Sequence, residues 1–170
     1  MASRGEALSR FAKATTPTLL GLFGVILLAL PIRLFEGSVP TPFLPLVVVF
    51  FWSIYGPSYL AAPSVFAIGL LQDLITGGPI GLWPTIYLAT QYVVMSQRAY
   101  FQGREQQVVW LGFSVVGLGV ATLLWLVMSV ISGTLLPFTQ VAIQMLATIA
   151  AFPLISGLFG HLHQRVIVEV

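Results

Sequence analysis

The sequence predicts an all-α polytopic integral membrane protein: one transmembrane domain of six helices, with both termini in the cytoplasm. Three observations predict it. The 170 residues are 58% hydrophobic and only 7% charged, with a mean hydropathy of +0.99, whereas a water-soluble domain carries roughly 25% charged residues. The few charges divide the chain into long apolar stretches. Within the stretches too long for one crossing, Pro and Gly clusters supply breaks. So little charge cannot solvate a compact fold in water, and almost the whole chain is committed to lipid, with no room for a separate soluble domain.

A crossing needs about 20 apolar residues at a rise of 1.5 Å each. The first span is read at 16–32, closed by Arg33 and Glu36. Ahead of it, Arg4, Arg10 and Lys13 precede an apolar run as they do in a secretory leader. No small-x-small cleavage pattern stands before Arg33, so this span is expected to stay uncleaved. Leu8 and Phe11 beside Arg10 and Lys13 suit either a short interfacial helix or a frayed polar tail. From Gly37 to Gln72 no charge occurs, and Pro57 and Pro63 break the run because proline lacks a backbone donor and clashes with the preceding turn. The second and third spans therefore fall at about 42–55 and 61–75, short enough to imply tilt or bilayer thinning. Thr76-Gly77-Gly78-Pro79 leads into a fourth span at 80–97, and Arg98, Arg104 and Glu105 mark an aqueous loop. The last uncharged run turns between Ser132 and Pro137, which gives spans at 108–131 and 138–158.

Six of the seven basic residues then fall on the side of the termini, and only Arg33 on the other. The positive-inside rule makes that side cytoplasmic. Between helices, lipid gives no hydrophobic drive to associate, so small residues and a few polar groups must do so. Gly117/Ala121, Ala147/Ala151 and Ser156/Gly160 have the small-xxx-small spacing, a weak signal in a glycine-rich chain.

The chemistry of catalysis is missing from the pattern. There is no cysteine, no Gly-x-Ser-x-Gly elbow and no second intramembrane acid to pair with Asp73. His161 and His163, two positions apart, would point about 200° apart on a helix and are read as interfacial residues, not as a metal pair. No basic run could track a phosphate backbone, so nucleic acid is excluded as a partner. No catalytic residue, metal or cofactor is expected.

The informative segment runs from Gly69 to Gly81, GLLQDLITGGPIG. Asp73 is the only acidic residue within a span, and an ionisable group there is by default a functional candidate. It stands near the C-terminal end of its helix, where the macrodipole disfavours a carboxylate. Gly77-Gly78 can end that helix in left-handed geometry, and Pro79 can open the next in its first turn. The free N–H groups of that next helix would then lie close to Asp73, and a carboxylate accepting their bonds would pin the corner. Arg33, on the same outer side, is an alternative partner. Three roles stay open for Asp73: a structural pin, part of a partner-facing corner, or an ion- or proton-coupling carboxylate.

Phe51-Trp52, Pro57, Gly69-Leu-Leu-x-Asp73-Leu-Ile-Thr-Gly77 and Pro79-Ile-Gly81 resemble the rod-shape-determining membrane protein family MreD. The resemblance covers about 42–102 in motif detail and the whole chain in length and charge layout. One position departs from the family pattern: Phe43 stands where a polar residue often follows the proline opening the second helix. The resemblance implies a non-enzymatic scaffold of the bacterial elongation machinery in the cytoplasmic membrane, binding the single-span protein MreC. It implies indirect partnership with the actin-like MreB, the RodA glycosyltransferase and a class B penicillin-binding protein in lateral-wall peptidoglycan synthesis and rod-shape maintenance. It also implies a helical bundle similar to the substrate-binding subunits of energy-coupling-factor transporters. Structural or partner-interface candidates are Asp73, Gly69, Gly77, Gly78, Pro79, Gly81, Arg33, Trp52 and Pro57.

The rival reading is a small-molecule-binding subunit of such a transporter. A substrate cavity needs convergent polar groups, and Gln72, Asp73, Tyr87, Gln91, Tyr92 and Gln144 are the available ones. They are few and spread over different depths, and Gln91 and Gln144 suit single interhelical hydrogen bonds better.

Overall fold

A computed structural model describes residues 4–29 and 41–163, and the side chains of 15–29 and 41–160. The described residues are helical, without strands. The order is α1 (Arg4–Ala29), α2 (Leu44–Tyr55), a 3-10 turn (Pro57–Tyr59), α3 (Ala62–Thr76), α4 (Leu82–Ser96), a short α5 (Arg98–Phe101), α6 (Gln106–Ser132) and α7 (Phe138–His163).

Local chemistry explains most boundaries. Pro45 and Pro63 lie in the first turns of α2 and α3, where a missing N–H leaves no bond unmade. Pro57 cannot continue α2 and opens the 3-10 turn instead. Gly77 and Gly133 close α3 and α6 with φ of 69° and 67°, a region that glycine enters without penalty. Two expectations are corrected. Residues 98–105 are not all loop, since Arg98–Phe101 form a helical turn. α1 begins at Arg4 and continues without a break past Pro17, so the segment around Leu8 and Phe11 and the apolar run after it are one helix.

Helix α2 is the hub. It packs against α1, α4 and α7, while α3 packs on α4 and α1, and α6 on α7. Every residue from Pro45 to Ile54 is buried. Phe50 meets Phe101, Phe113 and Phe152 edge-on with ring centroids 6.1, 5.2 and 5.7 Å away, the geometry aromatic quadrupoles favour.

The outer surface is the inverse of that of a water-soluble bundle. Val115, Leu118, Val130, Leu146, Leu154 and Leu158 all point outward along α6 and α7. Contiguous apolar surface on that scale marks an interaction with lipid or protein. α6 and α7 are long and apolar enough to cross a membrane, whereas the apolar parts of α1, α2 and α3 are shorter. At 12 residues, α2 reaches only about 18 Å along its axis.

Candidate functional site

The corner between α3 and α4 is built around a single carboxylate. Gly77 ends α3 and returns its N–H to the Asp73 carbonyl at 3.0 Å. The chain then turns through Gly78, Pro79 and Ile80 to Gly81, whose φ of 98° only glycine adopts freely. That turn carries the first N–H groups of α4 back over Asp73. The Gly81 N–H donates to Oδ2 at 2.6 Å and the Trp83 N–H to Oδ1 at 3.2 Å. Asp73, though at the C-terminal end of α3, thus satisfies two otherwise orphaned donors at the N-terminus of α4, where the macrodipole favours negative charge. It is 1% exposed.

Pro79 is the exception to the expected arrangement. It lies outside α4, and its carbonyl accepts the Leu82 N–H at 3.2 Å. The proline in the first turn of α4 is Pro84, and the physical reason is the positive φ at Gly81, which turns the chain once more before the helix can start.

Around the carboxylate the helices come very close. A Cβ on Gly69 would lie 2.6 Å from Pro84 Cα and 2.8 Å from the Trp83 carbonyl carbon, so only glycine lets α4 cross here. Gln72, beside Asp73, accepts a hydrogen bond from the Tyr87 hydroxyl through Oε1. Both side chains are fully buried. Thr76 donates to the Gln72 carbonyl at 2.7 Å.

From the corner, contacts lead to α2 and α7. The Trp83 ring lies 5.0 Å from Phe43 and 5.3 Å from Tyr87. The Phe43 N–H donates to Thr148 Oγ1 at 2.9 Å, and Gln144 Nε2 donates to the Thr41 carbonyl at 2.9 Å. A cleft of about 390 Å³ opens between this corner and the α6–α7 turn, lined by Phe43, Gln72, Trp83, Met128, Gln140 and Gln144 among others.

The structure gathers Gly69, Asp73, Gly77, Gly78, Pro79 and Gly81 at one corner, but not Trp52 and Pro57. Trp52 is buried toward the opposite end of α2, and Pro57 stands beyond that end. Other bonds secure this end: Arg98 Nε donates to the Ile54 carbonyl at 2.9 Å and Gln91 Nε2 to the Leu60 carbonyl at 2.7 Å. Arg33 lies outside the described residues, as do the side chains of His161 and His163. Tyr92 faces outward, 77% exposed, and joins no polar cluster. Sequence reasoning missed Trp83, Pro84 and Thr148. Only Thr148, a hydroxyl within the apolar run 145–155 of α7, carried a signal. Among the described residues no group of His, Cys, Asp and Glu could hold a metal ion.

Residues 10–162 match the family model described as rod shape-determining protein MreD. No curated protein and no solved structure matches the chain.

Proposed function

We propose, from the premise that this chain belongs to the MreD family of rod shape-determining proteins, that it acts as a non-enzymatic membrane scaffold. In this reading the chain is a single domain that crosses the bacterial cytoplasmic membrane six times with both termini inside. It binds an MreC-like single-span protein and through it joins MreB, RodA and a class B penicillin-binding protein in lateral-wall synthesis. The observation that carries the reading is the α3–α4 corner. Both oxygens of its carboxylate and the oxygen of the buried Gln72 amide take internal bonds, which suits a part that holds shape rather than one that turns over a substrate. The corner, with Asp73, Gly69, Gly77, Gly78, Pro79 and Gly81, is the proposed rigid element that partner contact depends on.

The transporter-subunit reading draws support from the 390 Å³ cleft and its glutamines. Gln72 and Gln144, however, already make internal bonds, which leaves the cleft short of convergent groups for a small polar ligand.

Affinity purification from native membranes in mild detergent tests the choice. An MreC-like single-span protein is the expected co-purifying partner. A stoichiometric ATPase and coupling subunit with a bound vitamin would replace the scaffold by the transporter. Single cysteines at Ser3, Ser38, Gly103 and Thr134 test the topology with an impermeant reagent. Ser38 and Thr134 should label from outside, and labelling at Gly103 would overturn the orientation.

A further inference from the structure

The cleft between the α3–α4 corner and the α6–α7 turn holds polar atoms that the internal bonds leave unspent. Gln72 lines it and is only 1% exposed. Its Oε1 takes the Tyr87 hydroxyl, while its Nε2 has no acceptor among the described residues. Trp83 also lines the cleft and is buried. Its backbone N–H goes to Asp73, and its indole N–H has no acceptor among the described residues. Gln144 gives Nε2 to the Thr41 carbonyl and keeps Oε1 unspent among the described residues. Gln140, exposed on the first turn of α7, makes no side-chain bond among them.

These groups restrict what can sit there. A buried donor without an acceptor is costly, and an acyl chain would cover the amide and the indole and supply neither with one. An ionised ligand would lose its hydration unpaired, because no ionised side chain lines the cleft among the described residues. The occupant is therefore neutral, apolar in body, and carries both donors and acceptors. Polypeptide has one of each on every residue. The unspent ends are spread from the corner to the first turn of α7, which suits a chain with an amide at every residue better than a compact ligand. Phe43, Met128 and Val141 supply apolar wall for a side chain between them. At about 120 Å³ per residue for a helix 10 Å across rising 1.5 Å, the 390 Å³ present takes roughly three residues.

We infer that this cleft seats a short uncharged stretch of a partner's polypeptide, with its main-chain amides on Gln72, Gln140 and Gln144. The inference rests on the scaffold reading above, in which the corner and the α6–α7 turn face outward. The stretch then belongs to the single-span partner and lies just beyond the outer end of its span.

Photo-cross-linking in the complex purified from native membranes provides the test, with a photoreactive residue in place of Gln140. The cross-link should fall on partner residues immediately outside the span. A cross-link to the span itself, to lipid, or to residues 30–40 of the same chain would overturn the inference. Binding of the partner to variants separates contact from fold. Gln72→Met and Gln140→Leu should each weaken it about fivefold, the worth of one net hydrogen bond. Tyr87→Phe removes the Tyr87–Gln72 bond but keeps the Gln72 amide, so it should lose thermal stability and bind the partner as wild type does. Equal loss of binding in Tyr87→Phe and Gln72→Met would reduce Gln72 to a structural residue and end the proposal. A small molecule carried by wild type in native mass spectrometry and lost from Gln72→Met would end it too. Undiminished binding in both glutamine variants would remove the cleft from the interface and leave the scaffold standing. Wild type without any single-span partner would sink the scaffold reading itself, and the inference with it.

Discussion

Two helix hairpins in this bundle solve the same problem differently. The α3–α4 corner joins two helices of 15 residues, and the α6–α7 turn joins helices of 27 and 26 residues. Both first helices end at a left-handed glycine, Gly77 or Gly133. Beyond that they diverge. At the corner a buried carboxylate takes two backbone donors at 2.6 and 3.2 Å. At the turn, Ser129 Oγ accepts the Leu136 N–H at 3.3 Å and Trp125 Nε1 donates to the Leu136 carbonyl at 2.7 Å, all neutral groups. Charge-assisted bonds are roughly twice as strong as neutral ones, and the Asp73 carboxylate is buried although Gly77 and Ile80 beside it are exposed. In the proposed six-span reading both hairpins cross the bilayer, and the one with the shorter helices adds a charged pin at its corner.

The largest expected effect tests how closely each pair of helices approaches. Gly69→Ala would push a methyl group into the backbone of Trp83 and Pro84. Backbone cannot rotate aside, so α4 must tilt and the Asp73 bonds stretch, at a cost of about 3 kcal/mol by analogy with overpacked cores. Gly117→Ala on α6 makes the same chemical change, yet its methyl would meet side chains alone, with the flexible Met145 sulfur nearest at 3.0 Å. Thermal unfolding in detergent should show Gly69→Ala strongly destabilised and Gly117→Ala near wild type. Equal loss in both would erase the proposed difference between the hairpins.

The next effect is electrostatic. Asp73→Ala leaves two buried donors unpaired, each costing about 1–3 kcal/mol. Asp73→Asn keeps one acceptor oxygen and turns an amide N–H₂ toward the other donor, so it should fall between Ala and wild type. Monodisperse yield and recovery of the MreC-like partner should follow the order wild type, Asn, Ala. A proton-coupling carboxylate predicts another pattern: Asn with full yield and full partner binding but no function.

What was legible in the sequence follows from the range of each interaction. The turn at Gly77 and the proximity of Asp73 to the next helix were readable, because both are set by spacing within nine residues of chain. All-helical character was readable from composition. The reason for Gly69 was not, since it depends on which face of α4 crosses α3, and that rotation is set by the positive φ at Gly81. The same rotation brings Tyr87 to Gln72, two residues whose separation of 15 positions gives no hint of a bond. Pro79 was misplaced for a related reason: proline favours the first helical turn, but two prolines, 79 and 84, competed for it and local propensity cannot rank them. Phe43, out of pattern for a polar position, packs against Trp83 instead. The continuity of α1 from Arg4 was hidden because the change from a charged to an apolar run alters the side chains and not the backbone.

The smallest effect is predicted at the other hairpin. Ser129→Ala deletes the acceptor for the Leu136 N–H, the bond most nearly equivalent to those of Asp73. Three features limit the damage. The bond is long, at 3.3 Å, and neutral. Leu136 stays tied through its carbonyl, which accepts from Trp125 Nε1. Leu136 is half-buried beside the exposed residues 131–135, so water next to the turn can take the freed N–H and the full desolvation penalty does not arise. The net loss should be below about 1 kcal/mol, a midpoint shift of roughly 2–4 °C or less. Partner recovery should stay at the wild-type level. Removing the Trp125 tether as well, in a Ser129→Ala/Trp125→Phe pair, should exceed the sum of the single losses, because only then is Leu136 released at both ends. If Ser129→Ala alone matched Asp73→Ala, the charge and burial at the α3–α4 corner could not be what distinguishes it, and the corner would lose its claim to be the rigid element of the scaffold.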